Sequence, residues 1–293
     1  MIVITGATGQ LGRLVIQSLL AKVPASGIAA VVRRPAQATD LAELGIELRE
    51  ADYERPELWP AALAGATEVL LISAPGPLGG RPPLHRVVID AAKAAGTVRR
   101  LVYTGVLGGD AAGFQLADDH KATERLLRES GLAFTVLRNG WYTEMYADRL
   151  AHAAQSGSFA GTAGPDARLA TATRAEYADA AASVLLAADA QPEYYELSGD
   201  TAWSLTELAD EFTRQSGTHI VYQQVSPEQQ RAALVAAGLP EPVAEILVDV
   251  EAAIDRGELA RQDGSLRRLI GHPTAPLADA VATAVTALKT TTS

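Results

Sequence analysis

A glycine-rich turn near the amino end has a spacing that could serve chemistry. It follows the apolar run at residues 2–4 as a Gly-x-x-Gly-x-x-Gly sequence: Gly6, Gly9 and Gly12. Apolar residues then recur every fourth position, as on the buried face of a helix: Leu11, Val15 and Leu19. A strand that ends in glycines and continues as a helix presents free N–H groups and the positive end of a helix dipole. The sequence therefore predicts a pyrophosphate site. The alternative is an ordinary turn whose glycines serve steric needs alone.

Two arginines follow the second predicted strand, which spans residues 28–32. Arg33 and Arg34 stand about 20 residues beyond the glycine turn, where an NAD site places a carboxylate against the adenosine ribose. That carboxylate would repel a 2′-phosphate, whereas a guanidinium binds phosphate through paired donors. The pattern favours NADPH over NADH, with Arg33 as the phosphate ligand. The alternative is that one or both arginines are solvated loop residues.

The usual proton donor of short-chain reductases is absent from this chain. Those enzymes place a tyrosine four residues before a lysine, so that both project from one helix face. Here the residues four positions before the lysines are Ser18, Ile89, Ala117 and Val285. Hydride addition to a simple ketone makes a strongly basic alkoxide that benefits from a positioned acid. A quinone gives a weakly basic phenolate that water can protonate, so the sequence favours an electron-poor acceptor such as a quinone, or no catalysis.

Composition excludes several other functions. The 293 residues carry a net charge of −10, which argues against nucleic acid as a partner because phosphate contacts need a basic face. There is no cysteine, and no histidine pair has metal-ligand spacing, so no metal site is expected. No apolar run approaches the ~20 residues of a membrane span, and no charged leader precedes the first strand. We expect a cytoplasmic protein that binds no membrane; its oligomeric state stays open.

Strands and helices alternate along most of the chain, which is typical of a mostly parallel sheet covered on both faces. Seven strands are predicted, at residues 2–4, 28–32, 46–49, 68–73, 100–105, 133–138 and 194–198. Helices are predicted over residues 84–95 and 119–130, and a capping box at Thr173 and Glu176 opens another through residue 188. The predicted fold class is α/β: a Rossmann doubly wound parallel sheet with a small α/β C-terminal lobe.

Short, well-capped helices replace this alternation beyond residue 203. Two capping boxes open helices there, with a strand at residues 219–225 between them: Ser204 to Glu207 and Ser226 to Gln229. We expect residues 1–138 to form an NADP-binding Rossmann domain that is completed by about residues 166–202. Residues 139–165 and 203–293 are expected to form a smaller lobe on the substrate side.

The carboxyl ends of the strands are where a doubly wound sheet binds ligands. Beyond the glycine turn, these ends supply candidate cofactor ligands: Asp52 and Tyr53 near the adenine, Ser73, Ala74 and Pro75 along the ribose, and Thr104 after the fifth strand. A turn aspartate and a core-edge tyrosine are an equally good interpretation of the first pair. The sixth strand runs into a polar and aromatic stretch: Asn139, Gly140, Trp141 and Tyr142.

A family resemblance is carried by nine stretches of the chain: residues 4–12, 32–33, 51–53, 71–73, 91–96, 137–142, 172–178, 197–200 and 269–273. Together they resemble the NmrA-like group of atypical short-chain dehydrogenases, and more narrowly its bacterial NAD(P)H:quinone oxidoreductases of type 2. The sequences Leu-Arg-Asn-Gly-Trp-Tyr at 137–142 and Ile-Gly-His-Pro at 270–273 are fairly specific to that subgroup. The resemblance runs over essentially the whole chain.

The resemblance implies a site that binds NADPH without flavin and reduces a quinone to a hydroquinone by two electrons. The pyrophosphate ligands it implies are Gly6, Thr8, Gly9, Gln10, Leu11 and Gly12, with Arg33 on the 2′-phosphate. Near the nicotinamide and the acceptor it places Asn139, Gly140, Trp141 and Tyr142, and the 172–178 motif adds Arg174. The group often carries Glu-Asn after this stretch, whereas here Glu144 precedes Met145. Any polar contact from that asparagine to a quinone is therefore expected to be lost or replaced.

Three residues are candidates for positioning the acceptor. Tyr142 can stack on a flat ring and donate a hydrogen bond to its oxygen. Asn139 can orient the nicotinamide amide or the quinone oxygen, and His120 lies on the helix from which the usual lysine projects. The alternatives are a rim aromatic, a backbone-capping asparagine and a surface or satisfied histidine.

Two functional hypotheses follow from the absent Tyr/Lys pair. The first is an NADPH-dependent quinone reductase that works by direct hydride transfer. The second is a non-catalytic NADP(H)-sensing NmrA-like regulator that acts through a protein partner. An open pocket beside residues 139–142 favours the enzyme, whereas a pocket filled by side chains favours the sensor.

Overall fold

The computed structural model describes residues 1–291, except for the side chains at positions 147, 148, 151 and 289–291. The strands within this range are β1 (Ile2–Ile4), β2 (Ile28–Val32), β3 (Glu47–Glu50), β4 (Glu68–Leu71), β5 (Arg100–Val106), β6 (Phe134–Asn139), β7 (Ser158–Gly161), β8 (Arg168–Leu169), β9 (Tyr194–Leu197), β10 (Trp203–Ser204) and β11 (Val221–Gln224). The α-helices are α1 (Gln10–Leu20), α2 (Thr39–Glu43), α3 (Trp59–Ala62), α4 (Arg81–Ala95), α5 (Gln115–Ser130), α6 (Glu144–Ser156), α7 (Arg174–Leu186), α8 (Leu205–Ser216), α9 (Pro227–Ala236), α10 (Glu241–Asp255), α11 (Ser265–Ile270) and α12 (Leu277–Thr291).

Seven strands form one sheet in the order β3-β2-β1-β4-β5-β6-β9, and all six pairings are parallel. The order reverses at β1, which is the Rossmann arrangement and places a ligand crevice beside the end of that strand. The predicted α/β class and doubly wound sheet are therefore confirmed. None of the described helices is both long and apolar enough to cross a bilayer.

Some predicted boundaries were wrong, and local chemistry explains two of them. The fourth strand ends at Leu71 and not at residue 73, because the N–H groups of Ile72 and Ser73 donate to threonine hydroxyls. Helix α4 begins at Arg81, three residues earlier than predicted, because prolines early in the first turn need no N–H partner. Helix α5 also begins earlier, at Gln115.

Helix α7 was predicted to continue through residue 188 but ends at Leu186, where Ala187 takes an extended conformation. The three capping boxes predicted from sequence are all formed, with reciprocal side-chain bonds to the backbone: Thr173 with Glu176, Ser204 with Glu207, and Ser226 with Gln229. Each satisfies N–H groups that a helix end would otherwise leave free. The three helices therefore begin where the sequence predicted.

Successive side chains of β1 point to opposite faces of the sheet and pack in two different buried clusters. Ile2 and Ile4 face a buried cluster shared with α1 and α7, whereas Val3 faces a second cluster shared with α3, α4 and α5. A third cluster includes Val106 at the end of β5 and is built mainly by α6, β7, α8, α10 and α12. A two-lobe division at residues 139–165 and 203–293 stays a prediction, and residues 292 and 293 lie outside the described range.

The turn between β1 and α1 depends on Gly12. A Cβ added at Gly12 would overlap the carbonyl oxygen of Gly6 and lie 2.8 Å from Cα of Ala7, closer than real Cβ atoms approach backbone. Gly6 itself has a φ of +59°, a conformation that L side chains rarely adopt. The helix can therefore begin directly over the strand end only with these two glycines in place.

We expect Gly12→Ala to lower the free energy of unfolding by about 2–3 kcal/mol, because the backbone of Gly6 and Ala7 leaves the new methyl no room. Gly27→Ala is the matched control, since nothing lies within 4 Å of a Cβ there and its φ is not positive. Urea denaturation of both variants measures the difference. Equal midpoints would show that the turn adjusts without cost.

Candidate functional site

The N-terminus of α1 has no side chain that satisfies its first N–H groups. Its N-cap is Gly9, no acidic residue occupies the first turn, and no side-chain cap is formed. Gly6, Thr8, Gly9 and Gln10 are exposed, whereas Leu11 and Gly12 are buried beneath them. A helix end of this kind binds an anion through N–H groups and the dipole. The structure thus gathers all the predicted pyrophosphate ligands in one turn.

Arg33 and Tyr53 meet beside this turn, at the ends of neighbouring strands. The Tyr53 hydroxyl donates to Oγ1 of Thr5 at 3.3 Å, and Arg33 lies at the exposed end of β2. Burial raises the pKa of Tyr53, and the nearby charge of Arg33 opposes that rise. Asp52 lies in its own turn, where its carboxylate accepts from the Glu54 N–H at 3.1 Å. An exposed guanidinium beside an aromatic ring is suited to a phosphorylated ribose and its base.

Three consecutive N–H groups after β4 each donate to a side chain from another element. The Ile72 N–H donates to Oγ1 of Thr5 at 3.1 Å, and the Ser73 N–H donates to Oγ1 of Thr104 at 2.9 Å. The Ala74 N–H donates to Nε2 of His85 at 2.9 Å, and exposed Pro75 follows. Sequence reasoning missed Thr5 and His85 in this role, because their partners lie 67 and 11 residues away.

His85 is held in one tautomer by its partners. Because Nε2 accepts from a backbone N–H, the ring proton must lie on Nδ1, which is 2.8 Å from Oγ1 of Thr123. The Thr123 hydroxyl in turn donates to the carbonyl of Asp119 at 2.9 Å. Burial, and secondly the charge of Arg81, lower the pKa of His85 to about 3. A neutral imidazole therefore ties the cofactor-side loop to α5.

Asp119 and Arg81 hold the far end of the same loop. The Asp119 carboxylate accepts from the Gly79 N–H at 2.8 Å, and Arg81 donates from Nε to the carbonyl of Ala74 at 3.0 Å. Their charged groups lie 3.6 Å apart, both largely buried. The loop is thus closed on itself from Ala74 to Arg81.

His120 lies beneath the loop and not on the surface. Its Nδ1 is 2.8 Å from the hydroxyl of Tyr103, and its side chain is buried. Burial lowers the pKa of His120 to about 3, and the charge of Arg81 acts in the same direction. A neutral, buried imidazole can accept or donate a hydrogen bond but carries no charge near neutral pH. Its contact with the acceptor stays a prediction.

Asn139 ends β6 with an unsatisfied side chain. Its Oδ1 is buried and has no hydrogen-bond partner, although the backbone carbonyl accepts from the Leu107 N–H. Buried polar atoms are paired in folded proteins as a rule, so an orphan at the carboxyl edge of the sheet indicates a ligand group. The amide N–H₂ of a nicotinamide is a donor suited to this oxygen.

Tyr142 lies close to Asn139 and is enclosed by aromatic and charged neighbours. The Arg174 guanidinium is 4.7 Å from its ring centre, and the Tyr177 ring packs edge-on at 5.5 Å. Burial raises the pKa of Tyr142, while the Asn139 amide and the Arg174 charge oppose the rise. Arg174 is held there by Glu144, 3.6 Å away, whose carboxylate also accepts its backbone N–H at 2.9 Å. Tyr142 therefore stays a neutral hydroxyl that can donate.

Gly140, which follows Asn139, packs too closely against neighbouring groups to carry a side chain. A Cβ there would lie 2.9 Å from the Tyr177 hydroxyl and 3.1 Å from the carbonyl of Leu197. Trp141, the next residue, packs with the third core cluster. It also lines a cavity of about 230 Å³ that continues past Met145. Within the part of the chain described, no three His, Cys, Asp or Glu side chains are arranged to hold a metal ion.

Comparison with known proteins gives consistent results across the whole chain. A family profile described as NAD(P)H-binding matches residues 6–186. Quinone oxidoreductase 2 of Escherichia coli is 48% identical over 281 residues, which cover 96% of this chain and 97% of that protein. Its crystal structure with NADPH superposes with a TM-score of 0.93, covering 97% of this chain and 99% of that one. The triphenylmethane reductase of Citrobacter sp., crystallised with NADP(H), is 40% identical with a TM-score of 0.92, covering 97% and 100%.

The two buried histidines predict a loss of stability in acid. Their folded pKa of about 3 lies below the ordinary value of 6.5, so the unfolded chain binds more protons between these limits. Stability therefore rises with pH through this window and is lost as the pH falls below about 6.5. Acidification from pH 7 to pH 5 should cost about 2 kcal/mol for each histidine.

His85→Gln should remove one histidine's share of this pH dependence, because glutamine does not titrate. His219→Gln is the control, since that histidine is exposed. Urea unfolding at several pH values from 5 to 7.5 gives the slope of stability against pH for each protein. If His85→Gln and the unaltered chain show the same slope of stability against pH, the conclusion that His85 is neutral and buried is contradicted.

Proposed function

The chain belongs to the NAD(P)H-binding, NmrA-like family of reductases, and from this we propose that it is an NADPH-dependent quinone oxidoreductase. It reduces a quinone to a hydroquinone by two electrons, through direct hydride transfer and without flavin. One observation carries this function: the 48% identity to a quinone oxidoreductase extends over 96% of the chain. The likeness thus includes both the dinucleotide turn and the acceptor side.

The residues at the strand ends fit NADPH. The uncapped N-terminus of α1 offers its N–H groups to the pyrophosphate. The close packing of backbone at Gly12 holds this helix end next to the turn. Arg33 is free at the surface to pair with the 2′-phosphate, with Asp52 and Tyr53 beside the adenine. Ser73, Ala74, Pro75 and Thr104 lie along the ribose side, and the orphan Oδ1 of Asn139 accepts from the nicotinamide amide.

Bound NADPH supplies a hydride to the acceptor. The chain's own contribution is to position the acceptor, since neither His85 nor His120 is charged near neutral pH and neither can serve as a strong acid. Tyr142 donates a hydrogen bond to a quinone oxygen from a hydroxyl that burial keeps protonated. The quinone takes one proton from water in addition to the hydride, which balances the hydroquinone product. Asn139, Tyr142 and His120 are thus proposed as positioning groups for the acceptor.

No observation favours the alternative of a non-catalytic NADP(H) sensor. Trp141, one residue of the 139–142 stretch, lines a cavity of about 230 Å³, which supports the enzyme hypothesis over a pocket filled by side chains. A structure of the regulator NmrA matches this chain at 16% identity, so that likeness concerns the fold alone. We assign residues 139–165 and 203–293 to the acceptor side, and we propose that the protein acts in the cytoplasm.

The purified protein, with no flavin added, should oxidise NADPH when 1,4-benzoquinone is supplied and leave it unchanged when the quinone is omitted. Absorbance at the reduced-nicotinamide band follows the reaction. NADH should serve at a much higher KM, because it lacks the phosphate that Arg33 binds. Failure to consume NADPH with any quinone tested would contradict the proposed quinone oxidoreductase activity.

Arg33→Asp should raise the KM for NADPH by roughly 10- to 100-fold, because it replaces a bidentate phosphate ligand with a repelling charge. The KM for NADH should change by less than about threefold. Arg34→Asp makes the same charge change one residue further along and is the matched control. Steady-state kinetics with both coenzymes decide the assignment, which is wrong if the two coenzymes respond alike.

A further inference from the structure

The cavity beside Trp141 lies between the start of α6 and the hairpin formed by α9 and α10. Its lining is mainly apolar: Trp141, Met145, Tyr146, Leu234, Leu239 and Leu247. At about 230 Å³ it is half as large again as an apolar cavity of about 150 Å³ that accommodates benzene. It therefore has room for a substituted ring or two fused rings. The first lining residue, Trp141, lies two positions beyond Asn139, the last residue of β6.

The outer wall of the cavity is a helix with little other packing. Of the ten residues of α9, Gln230 is the one that is fully buried. Leu234 turns toward the cavity, whereas its neighbour Val235 is 42% exposed on the outside of the hairpin. The apolar side of α9 thus faces the cavity and not a core. A bound apolar molecule would cover that surface.

The polar end of the cavity is already neutralised. Arg149 donates to Oε1 of Glu251 at 3.3 Å and to the carbonyl of Ala160 at 2.5 Å. The other oxygen of Glu251 accepts from the N–H of Thr162 and, at 3.1 Å, from its hydroxyl. The charge of the guanidinium is thus countered by that of the carboxylate, and the pair adds no net charge to the cavity. An anionic substituent in this space would lose its water and would have to compete with Glu251 for Arg149.

We infer that this cavity is the acceptor-binding pocket and that it selects uncharged, apolar quinones of one or two rings over anionic ones. The inference rests on the proposed function and adds the chemical class of its acceptor. Met145, in the first turn of α6, adds to the apolar lining. The pocket thereby holds its ligand mainly through apolar contact.

The first test compares 1,4-naphthoquinone with 1,4-naphthoquinone-2-sulfonate at saturating NADPH. The sulfonate is the more electron-poor acceptor and would react faster if chemistry alone decided. We expect its kcat/KM to be at least about tenfold lower, because the sulfonate must leave water for a mainly apolar cavity whose one guanidinium is already paired with Glu251. Equal or higher kcat/KM for the sulfonate would overturn the inference about acceptor selectivity. The proposed quinone reductase activity would still stand.

The second test uses two neighbours on α9 that face opposite ways. Leu234→Asn should lower kcat/KM for 1,4-naphthoquinone about tenfold, since an amide replaces an apolar wall. Val235→Asn, the matched control, should change it by less than about twofold, and neither should change the KM for NADPH. Equal effects of the two substitutions would place the acceptor elsewhere.

A binding measurement separates this inference from the proposed function. Naphthoquinone titrated into the coenzyme-free protein should quench tryptophan fluorescence saturably, because Trp141 lines the pocket. Leu234→Asn should weaken that quenching about tenfold, and Trp141→Phe should remove most of it. Saturable quenching without NADPH oxidation would mean that the pocket is correct and the catalytic function is wrong. Turnover with quenching that neither substitution alters would mean the reverse.

Discussion

The close passage of α1 over the end of β1 is the constraint on which the site depends. Gly12 lies against the carbonyl of Gly6 and the backbone of Ala7, with no space for a side chain. The helix end therefore has to point at the sheet edge, uncapped and free of acidic residues. Because β1 lies at the reversal of the strand order, this positive end faces the crevice between the β2 and β4 loops. Arg33 and Ser73 thereby come to lie on opposite sides of one turn.

Side chains fix the loop after β4 where a strand would otherwise have continued. Thr5, Thr104 and His85 accept its three successive N–H groups, and each comes from a different element. His85 can do so only as a neutral imidazole, so burial and the nearby Arg81 keep it unprotonated. The same groups that hold the loop leave the crevice without a strong acid. A weakly basic product such as a hydroquinone suits a site of this kind.

Charged pairs hold the acceptor side to this frame. The Arg138 guanidinium, next to Asn139, donates to both oxygens of fully buried Glu124 and to Glu196, which ties β6 to α5 and β9. Breaking one partner of such a pair is costly, because the other is left buried and unpaired. Asn139 therefore has a firm backbone while its own Oδ1 remains free. Beyond it, the Arg149–Glu251 pair closes the apolar cavity with no net charge.

The sequence by itself determined what depends on local pattern. The glycine turn, the parallel sheet and the three capping boxes could be predicted, because their residues lie within a few positions of one another. The positions of Arg33 and Asn139 at strand ends followed from the same periodicity. Only the tertiary structure decided the end of β4, the neutral state of His85 and the burial of His120. These depend on partners up to 67 residues apart and on exclusion from water, which no spacing in the sequence encodes.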